Sequence, residues 1–590
     1  MAFTARPKIR RGSTASHVDV NYFDPEGVRN LNRTLTRMSH ANDRPSLATS
    51  DDTLTADGPF DFEKTLKNLV KQREEAQILT RELGVVFENL RVQGLGTTAS
   101  YQPTLGTVLN PLTVLEKIRT MRNPPLRDIL SGFEGVVRPG EMLRTDAAAV
   151  VLGRPGSGCS TFLKTLANHR EEYHAITGEV HYDSLSPKEI AKFYRGDVQY
   201  CPEDDVHFPT LTVKQTLDFA AKTRVPHARL ESSKSLYVDK MTEVLSTIFG
   251  LKHTQGTPVG DNAIRGVSGG EKKRVSIAEA LATRSRVHCW DNSTRGLDSS
   301  TALEFGRALR IATDLDHLST IVSIYQAGET LYQLFNKVCV IYEGRMAYFG
   351  PASEARQYFI DMGYEPANRQ TTPDFLVAVT DPNGRIPRPS YGPLPRTASE
   401  FAEHFLRSSR GEQNRDDIQL YKQARVGVPE RANAYKQSVR AEHARTAKKT
   451  SAYTISIPMQ ARAVMKRRME ILIGNKVATL FLLFSFVLQG IIVGTVFVKI
   501  PEATSAFFSR GGVLFFALLF SALSSMAEIP ALFSQRPIVN RHEKAAMYHP
   551  FVEAAALTLV DIPITVFTTA IFGIILYFLI GLQRTAAQFL

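Results

Sequence analysis

The chain has 590 residues, which at about 150 per domain corresponds to roughly four structural units. Lys and Arg number 71 against 59 Asp and Glu, a net charge of +12, with 43% hydrophobic and 22% charged residues overall. Charge is uneven: residues 477–590 carry 11 charged side chains in 114, under half the density of the whole chain, which excludes a purely soluble protein and a disordered one.

The surplus of positive charge does not single out nucleic acid, because both signs are interleaved along the chain, and no nucleic-acid partner is expected. Cys159, Cys201, Cys289 and Cys339 are widely spaced without a CxxC pair, so they read as reduced thiols rather than a zinc or disulfide framework.

Residues 1–58 are polar and without helical or strand period, which predicts a disordered tail; Arg6, Lys8, Arg10 and Arg11 precede no apolar segment, so this is not a secretory signal. An N-terminal extension follows over 59–125. It holds an amphipathic helix near Phe60–Gln77, with Phe62, Leu66, Leu69 and Val70 on one face. A strand over 84–92, a Gly-rich turn and a helical stretch over 107–122 complete it. Between 126 and 355 short apolar runs alternate with helical stretches, the rhythm of an α/β domain with a parallel sheet. Residues 356–455 are polar and punctuated by proline, predicting a linker with some helix at 399–405.

A basic amphipathic stretch over 456–476 opens the last region, 456–590. Residues 477–498 then run for 22 positions without a charge, about 33 Å as a helix and enough to cross a bilayer. Further spans are predicted at about 511–527 and 562–582. Arg462, Lys466, Arg467, Arg468 and Lys476 precede the first span, and Arg536, Arg541 and Lys544 lie between the second and third, whereas only Lys499 and Arg510 separate the first two. Basic flanks mark the cytoplasmic side, so the domain before the spans is expected in the cytosol. The segment 541–553 is then a cytosolic turn, either touching that domain or solvated.

The strongest chemical signal is VVLGRPGSGCST, residues 150–161. Gly153, Gly156 and Gly158, with Arg154, Pro155 and Ser157 between them, form a loop whose backbone N–H groups can cradle phosphate, followed by a helix with Phe162, Leu163 and Leu166 as its buried face. The pattern GxxxxGK[ST] fits except at its lysine, which is Cys159; Ser160 keeps the hydroxyl that would ligate Mg²⁺, and Thr161 follows. Lys164 lies five helical residues on, about 140° around the axis, and cannot easily substitute. Ser268, Gly269 and Gly270 open an amphipathic helix, where free amides and the helix dipole make an anion site. Asp291 ends an apolar strand, where it would hold Mg²⁺ through water, and Gly296, Leu297 and Asp298 follow at short range.

GRPGSGCST, VSGGEKKRVSIAEAL and WDNSTRGLDSSTA resemble the first nucleotide-binding domain of the fungal pleiotropic-drug-resistance ABC transporters of subfamily G, as do YCPEDDVHFPTLTV and SIYQAGETLYQLFNKVCVIYEGR. The resemblance implies an α/β P-loop nucleotide-binding domain followed by an all-α transmembrane domain, incomplete at three spans. It implies ATP and Mg²⁺ as cofactors. It also implies a second nucleotide-binding domain, further transmembrane helices and a hydrophobic small-molecule substrate as partners. The expected protein is the N-terminal part of an ATP-driven exporter of xenobiotics or lipids, integral to the plasma membrane, ending within the first membrane domain. The alternatives are a non-hydrolysing, membrane-anchored nucleotide-binding regulator and an inactive truncated product.

Carried onto this sequence, the resemblance makes the site asymmetric. Asn292 stands at the position of the glutamate that orients water, Glu203 at that of the glutamine that senses the γ-phosphate, and Tyr325 at that of the switch histidine. Ser268, Gly269, Gly270 and Asp298 are intact and in the family face the ATP of the other domain. Residues Arg144–Ala149 look additional to the family pattern and would place charge in the strand before the phosphate loop, at a cost if buried.

Overall fold

The computed structural model describes residues 62–76, 78, 81–95, 126–139, 148–389, 392–501, 503–526 and 528–582. The predicted tail, the helix expected at 107–122 and residues 144–147 lie outside that set.

A nine-stranded sheet organises the first half, in the order β4-β1-β2-β9-β8-β3-β7-β6-β5. Its strands are β1 (Val85–Leu95), β2 (Leu126–Val137), β3 (Ala148–Gly153), β4 (Ala175–Tyr182), β5 (Val198–Cys201), β6 (Val287–Asp291), β7 (Ser319–Ser323), β8 (Lys337–Tyr342) and β9 (Arg345–Pro351). Strands β8, β3, β7, β6 and β5 pair in parallel. Each of β6, β7 and β8 is buried along its whole length, as expected for parallel strands covered on both faces. The other edge is largely antiparallel, β1 pairing with β2 and β4, and β8 with β9.

The strand before the phosphate loop carries no charge among its residues. Ala148 and Ala149 pair with Thr320 and Ile321 of β7 and belong to the strand itself, and Ala149 is buried. Of the stretch Arg144–Ala149 that looks additional to the family pattern, Ala148 and Ala149 are thus the first residues of β3, and the charged part lies outside the described residues.

Helix α1 (Phe62–Glu75) reaches the far side of the domain, where Arg73 Nη1 lies 3.2 Å from Asp316 Oδ1. Helix α2 (Cys159–Leu166) follows β3; α3 (Val213–Thr223), α4 (Gly269–Ala282) and α5 (Ser299–Asp316) come later. The predicted linker is mostly helical, with α6 (Ala398–Arg407), α7 (Ser409–Arg425) and α8 (Pro429–Glu442) packed on the domain. Their apolar contribution is small: Phe401, Phe405, Ile418, Tyr421 and Tyr435 are buried, while Leu406 and Leu420 stay exposed. Charge completes the attachment, since Arg81 bridges Asp197 at 3.0 Å and Glu442 at 2.8 Å with all three side chains nearly inaccessible. Buried pairs of this kind hold a segment whose sequence reads as polar.

Helix α9 (Ile457–Gly474) leads into three helices long and apolar enough to cross a membrane: α10 (Lys476–Val496), α11 (Phe507–Met526) and α13 (Pro550–Ile580), with α12 (Glu528–Lys544) before the last. The third begins at Pro550, earlier than the predicted 562, and takes Glu553 and Asp561 inside it. Both acids are paired on α9, Glu553 with Arg467, and Asp561 Oδ2 with Arg468 Nη2 at 2.7 Å. Phe486, Phe520 and Phe572 meet between α10, α11 and α13 at centroid separations of 5.2–6.0 Å. Gly494 lets α10 and α13 approach closely: a Cβ there would lie 2.4 Å from Leu579 Cδ1.

Candidate functional site

The phosphate loop runs from the C-terminal end of β3 to α2, at the edge where ligands sit in open parallel sheets. Its glycines are required by geometry. Gly158 caps α2 at φ 107°, and a Cβ there would fall 2.7 Å from Leu130 Cδ2. At Gly153 a Cβ would meet Ser157 Oγ at 2.4 Å. Phe162 on the buried face of α2 packs edge-on against Phe87, 5.3 Å between centroids, which fixes the helix on the sheet.

Cys159 is buried, its Sγ 3.3 Å from Ser157 Oγ, and burial pushes the thiol up to about 11. It is a neutral side chain under the loop. Lys164 points elsewhere: its Nζ donates to Glu172 Oε2 at 2.8 Å and lies 5.6 Å from the Tyr200 ring centroid. Arg154, on the loop itself, pairs with Asp381 at 3.0 Å.

Asp291 ends β6 with both carboxylate oxygens engaged, accepting from Ser323 Oγ at 2.7 Å and from the Tyr200 hydroxyl at 2.6 Å. Asn292 follows at φ 43°, a left-handed conformation that Asn tolerates. Its backbone N–H donates to the Ser323 carbonyl at 3.1 Å, and its Nδ2 donates to Glu203 Oε1 at 3.0 Å. The same Glu203 oxygen accepts from the Arg295 guanidinium. Tyr325 hydrogen-bonds the Ser160 side chain; burial and the neighbouring Cys159 and Asp291 raise its hydroxyl above the usual phenol range.

The structure therefore gathers Cys159, Ser160, Asp291, Asn292, Glu203 and Tyr325 around one space. Ser160 and Asp291 are hard oxygen donors suited to Mg²⁺, so the residues fit the ion, which would neutralise phosphate charge there. Asn292 has no basic atom with which to take a proton from water. Tyr200 and Ser323, which orient Asp291, are the first residues of the YCPEDDVHFPTLTV and SIYQAGETLYQLFNKVCVIYEGR stretches, but the sequence does not single them out as site residues.

Ser268, Gly269, Gly270 and Asp298 lie apart from that space. Ser268 caps α4 in a reciprocal box: its Oγ accepts from the Glu271 N–H at 3.3 Å, and Glu271 Oε2 accepts from the Ser268 N–H at 2.8 Å. A Cβ at Gly269 would meet nothing within 4 Å, and one at Gly270 only the Gly296 carbonyl oxygen at 3.6 Å. Asp298 caps α5, and its hydrogen bonds from Ser300 and Thr301 hold the carboxyl down to about 2. This face is exposed.

The far end of α4 meets the membrane region. Glu279 Oε2 accepts from Arg541 at 2.5 Å, and Glu279 Oε1 is 3.1 Å from His542 Nε2. Burial alone would raise this carboxyl, but the Arg541 charge and the His542 hydrogen bond hold it well below the usual range. Behind it Arg467 is enclosed by the rings of Phe219, Phe208 and Tyr548, at 4.2, 4.6 and 5.0 Å, and pairs with Glu553. Lys544 donates to Glu172 Oε1 at 2.8 Å, beside α2. Of the two readings of segment 541–553, contact with the domain is the one the structure has.

Three family models match: "ABC-transporter N-terminal" over residues 30–108, "ABC transporter" over 141–295 and "ABC-2 type transporter" over 459–590. The chain is similar to Protein SNQ2 of Saccharomyces cerevisiae, 42% identical over 90% of this chain and 35% of that one. It is 41% identical to the ABC multidrug transporter SNQ2 of Candida glabrata over 99% of this chain and 38% of that one. It is 44% identical to the ABC transporter CDR4 of Candida albicans over 86% and 34%. The chain thus spans a little over a third of the length of these relatives.

Proposed function

Since this chain belongs to the fungal pleiotropic-drug-resistance type of ABC transporter, we propose that it works as part of an ATP-driven exporter of hydrophobic compounds in the plasma membrane. Its phosphate loop holds ATP with Mg²⁺ but turns it over poorly, and its exposed α4 terminus serves the ATP of a second nucleotide-binding domain. The nucleotide domain faces the cytosol, and further membrane helices complete the pathway.

One contrast carries this reading. The phosphate-loop site has a thiol where the pattern has a cation and an amide beside Asp291, so neither charge neutralisation nor water activation is supplied by its side chains. The Ser268–Gly270 end keeps small residues and open space, where backbone amides can meet developing phosphate charge from outside.

The test uses a transporter that includes a second nucleotide domain and measures ATP-dependent export of a dye. Gly270→Asp fits sterically, since the position is open, but brings a carboxylate to the phosphate face; export is expected to stop. Cys159→Ala is expected to leave export nearly intact. The reverse outcome overturns the composite-site reading. A result in which neither substitution changes turnover, and only nucleotide affinity moves, supports a membrane-anchored regulator instead.

A further inference from the structure

We propose that the phosphate-loop site accepts a nucleoside diphosphate about as well as a triphosphate, with Glu203 as the residue that removes the preference for the third phosphate. The proposal rests on the nucleotide reading above and goes further by naming the ligand class.

Glycine-loop amides grip the inner phosphates, and the preference for a γ-phosphate comes from cations beyond them, chiefly the lysine of GxxxxGK[ST]. Cys159 fills that position, and a cysteine carries no positive charge in any protonation state. Lys164 is held 2.8 Å from Glu172, and Arg154 is held 3.0 Å from Asp381.

What faces the space beyond Ser160 is negative. Tyr325 marks that space: it hydrogen-bonds Ser160 and lies within electrostatic reach of Cys159, Asp291 and Glu203. Asp291 would be taken up by Mg²⁺, which leaves Glu203 as the carboxylate with no metal to hold. The cation paired with Glu203 is Arg295, whose side chain is 68% exposed, so water screens much of its charge. Asn292 donates an uncharged N–H to Glu203 at 3.0 Å. A third phosphate entering here adds negative charge against the Glu203 carboxylate and gains no cation from Cys159, Lys164 or Arg154. Its hydrogen bonds and its repulsion offset each other. The diphosphate loses little by lacking it.

The experiment titrates the purified 590-residue chain in lipid nanodiscs with MgADP and with a non-hydrolysable MgATP analogue, by calorimetry. Wild type is expected to bind both within about threefold of each other. Glu203→Gln removes the carboxylate while keeping the acceptor for Asn292, and is expected to tighten the triphosphate about tenfold, close to 1.4 kcal/mol, with the diphosphate nearly unchanged. Arg295→Gln leaves Glu203 without its cation and is expected to move triphosphate affinity the opposite way, so the two variants check each other if either perturbs the loop. Wild-type preference for triphosphate of tenfold or more overturns the proposal, as does a Glu203→Gln variant that treats both nucleotides as wild type does. Failure of both nucleotides to bind wild type overturns the nucleotide reading itself and this proposal with it.

Discussion

The phosphate loop and the Ser268–Gly270 terminus are both glycine-bearing helix starts, yet the molecule treats them differently. At the loop, side chains have turned inward: Cys159 is buried, Asp291 is satisfied by two hydroxyls, and Glu203 is tied to Asn292 and Arg295. At the terminus, the space outside Gly269 and Gly270 is open. The same asymmetry continues to the membrane helices. Helix α4 is anchored through Glu279, with 4% side-chain exposure, while the phosphate-loop helix α2 is tied through Glu172, at 37% exposure, to Lys544 at 38%. The phosphate-loop side thus has the shallow connection to the membrane helices, and the α4 side the buried one.

The largest effect expected from this difference is at Glu279. Glu279→Ala leaves Arg541 and His542 without their shared acceptor in a buried place, which costs about 3–5 kcal/mol. The thermal-unfolding midpoint of the detergent-solubilised chain should fall clearly, and export in a complete transporter should fall with it. A midpoint equal to wild type breaks the comparison.

Next is the response to acid, which can be read at a histidine on each side. His207, near Glu279, and His169, near Lys544, are each pushed down to about 3, chiefly by burial and then by the charges of Arg541 and Lys544 respectively. Both stay neutral in the folded chain at mild acidity, whereas the unfolded chain protonates them below about 6.5. Their stabilising contribution is therefore complete above about 6.5 and is lost as pH falls toward 3, roughly 1 kcal/mol each by pH 5.5. Glu279 and Glu172 are depressed and keep their contributions above about 4.3, so a scan from pH 7.5 to 5.5 reads the histidines, to which buried His542 and His288, also pushed down, add. Midpoints should decline across that range, and His207→Gln and His169→Gln should each flatten the decline. A flat wild-type profile contradicts the burial argument.

The smallest effect belongs to Glu172. Burial would raise its carboxyl, but hydrogen bonds from Lys164 and Lys544 bring it down to about 2, and its exposure lets water replace much of what is lost. Glu172→Ala should change stability by less than about 1 kcal/mol. A loss as large as that of Glu279→Ala would erase the distinction between the two connections.

Much of this molecule is legible in order along the chain, because local chemistry decides it. Gly153, Gly156 and Gly158 announce the loop since positive φ and close backbone approach admit little else, and Ser268 with Glu271 three residues on announces a helix start. Long uncharged runs announce the three apolar helices. The segment read as a linker was less legible, because α6–α8 bury only a few aromatics and rely on Glu442 meeting Arg81, a partner far back in the chain.

What the sequence determined by itself is therefore the set of parts: a glycine loop with Cys159 after Gly158, a helix start capped by Ser268 and apolar spans, each specified by residues within a few turns of one another. What only the tertiary structure decided is which charges answer which. Glu203 finds Asn292 and Arg295 across 89 and 92 positions, and Glu279 finds Arg541 across 262. The early start of α13 depends likewise on Arg467 and Arg468 reaching Glu553 and Asp561. A charge can enter a buried site or a helix next to a span only when its counter-charge arrives with it, and that meeting is a property of the folded chain.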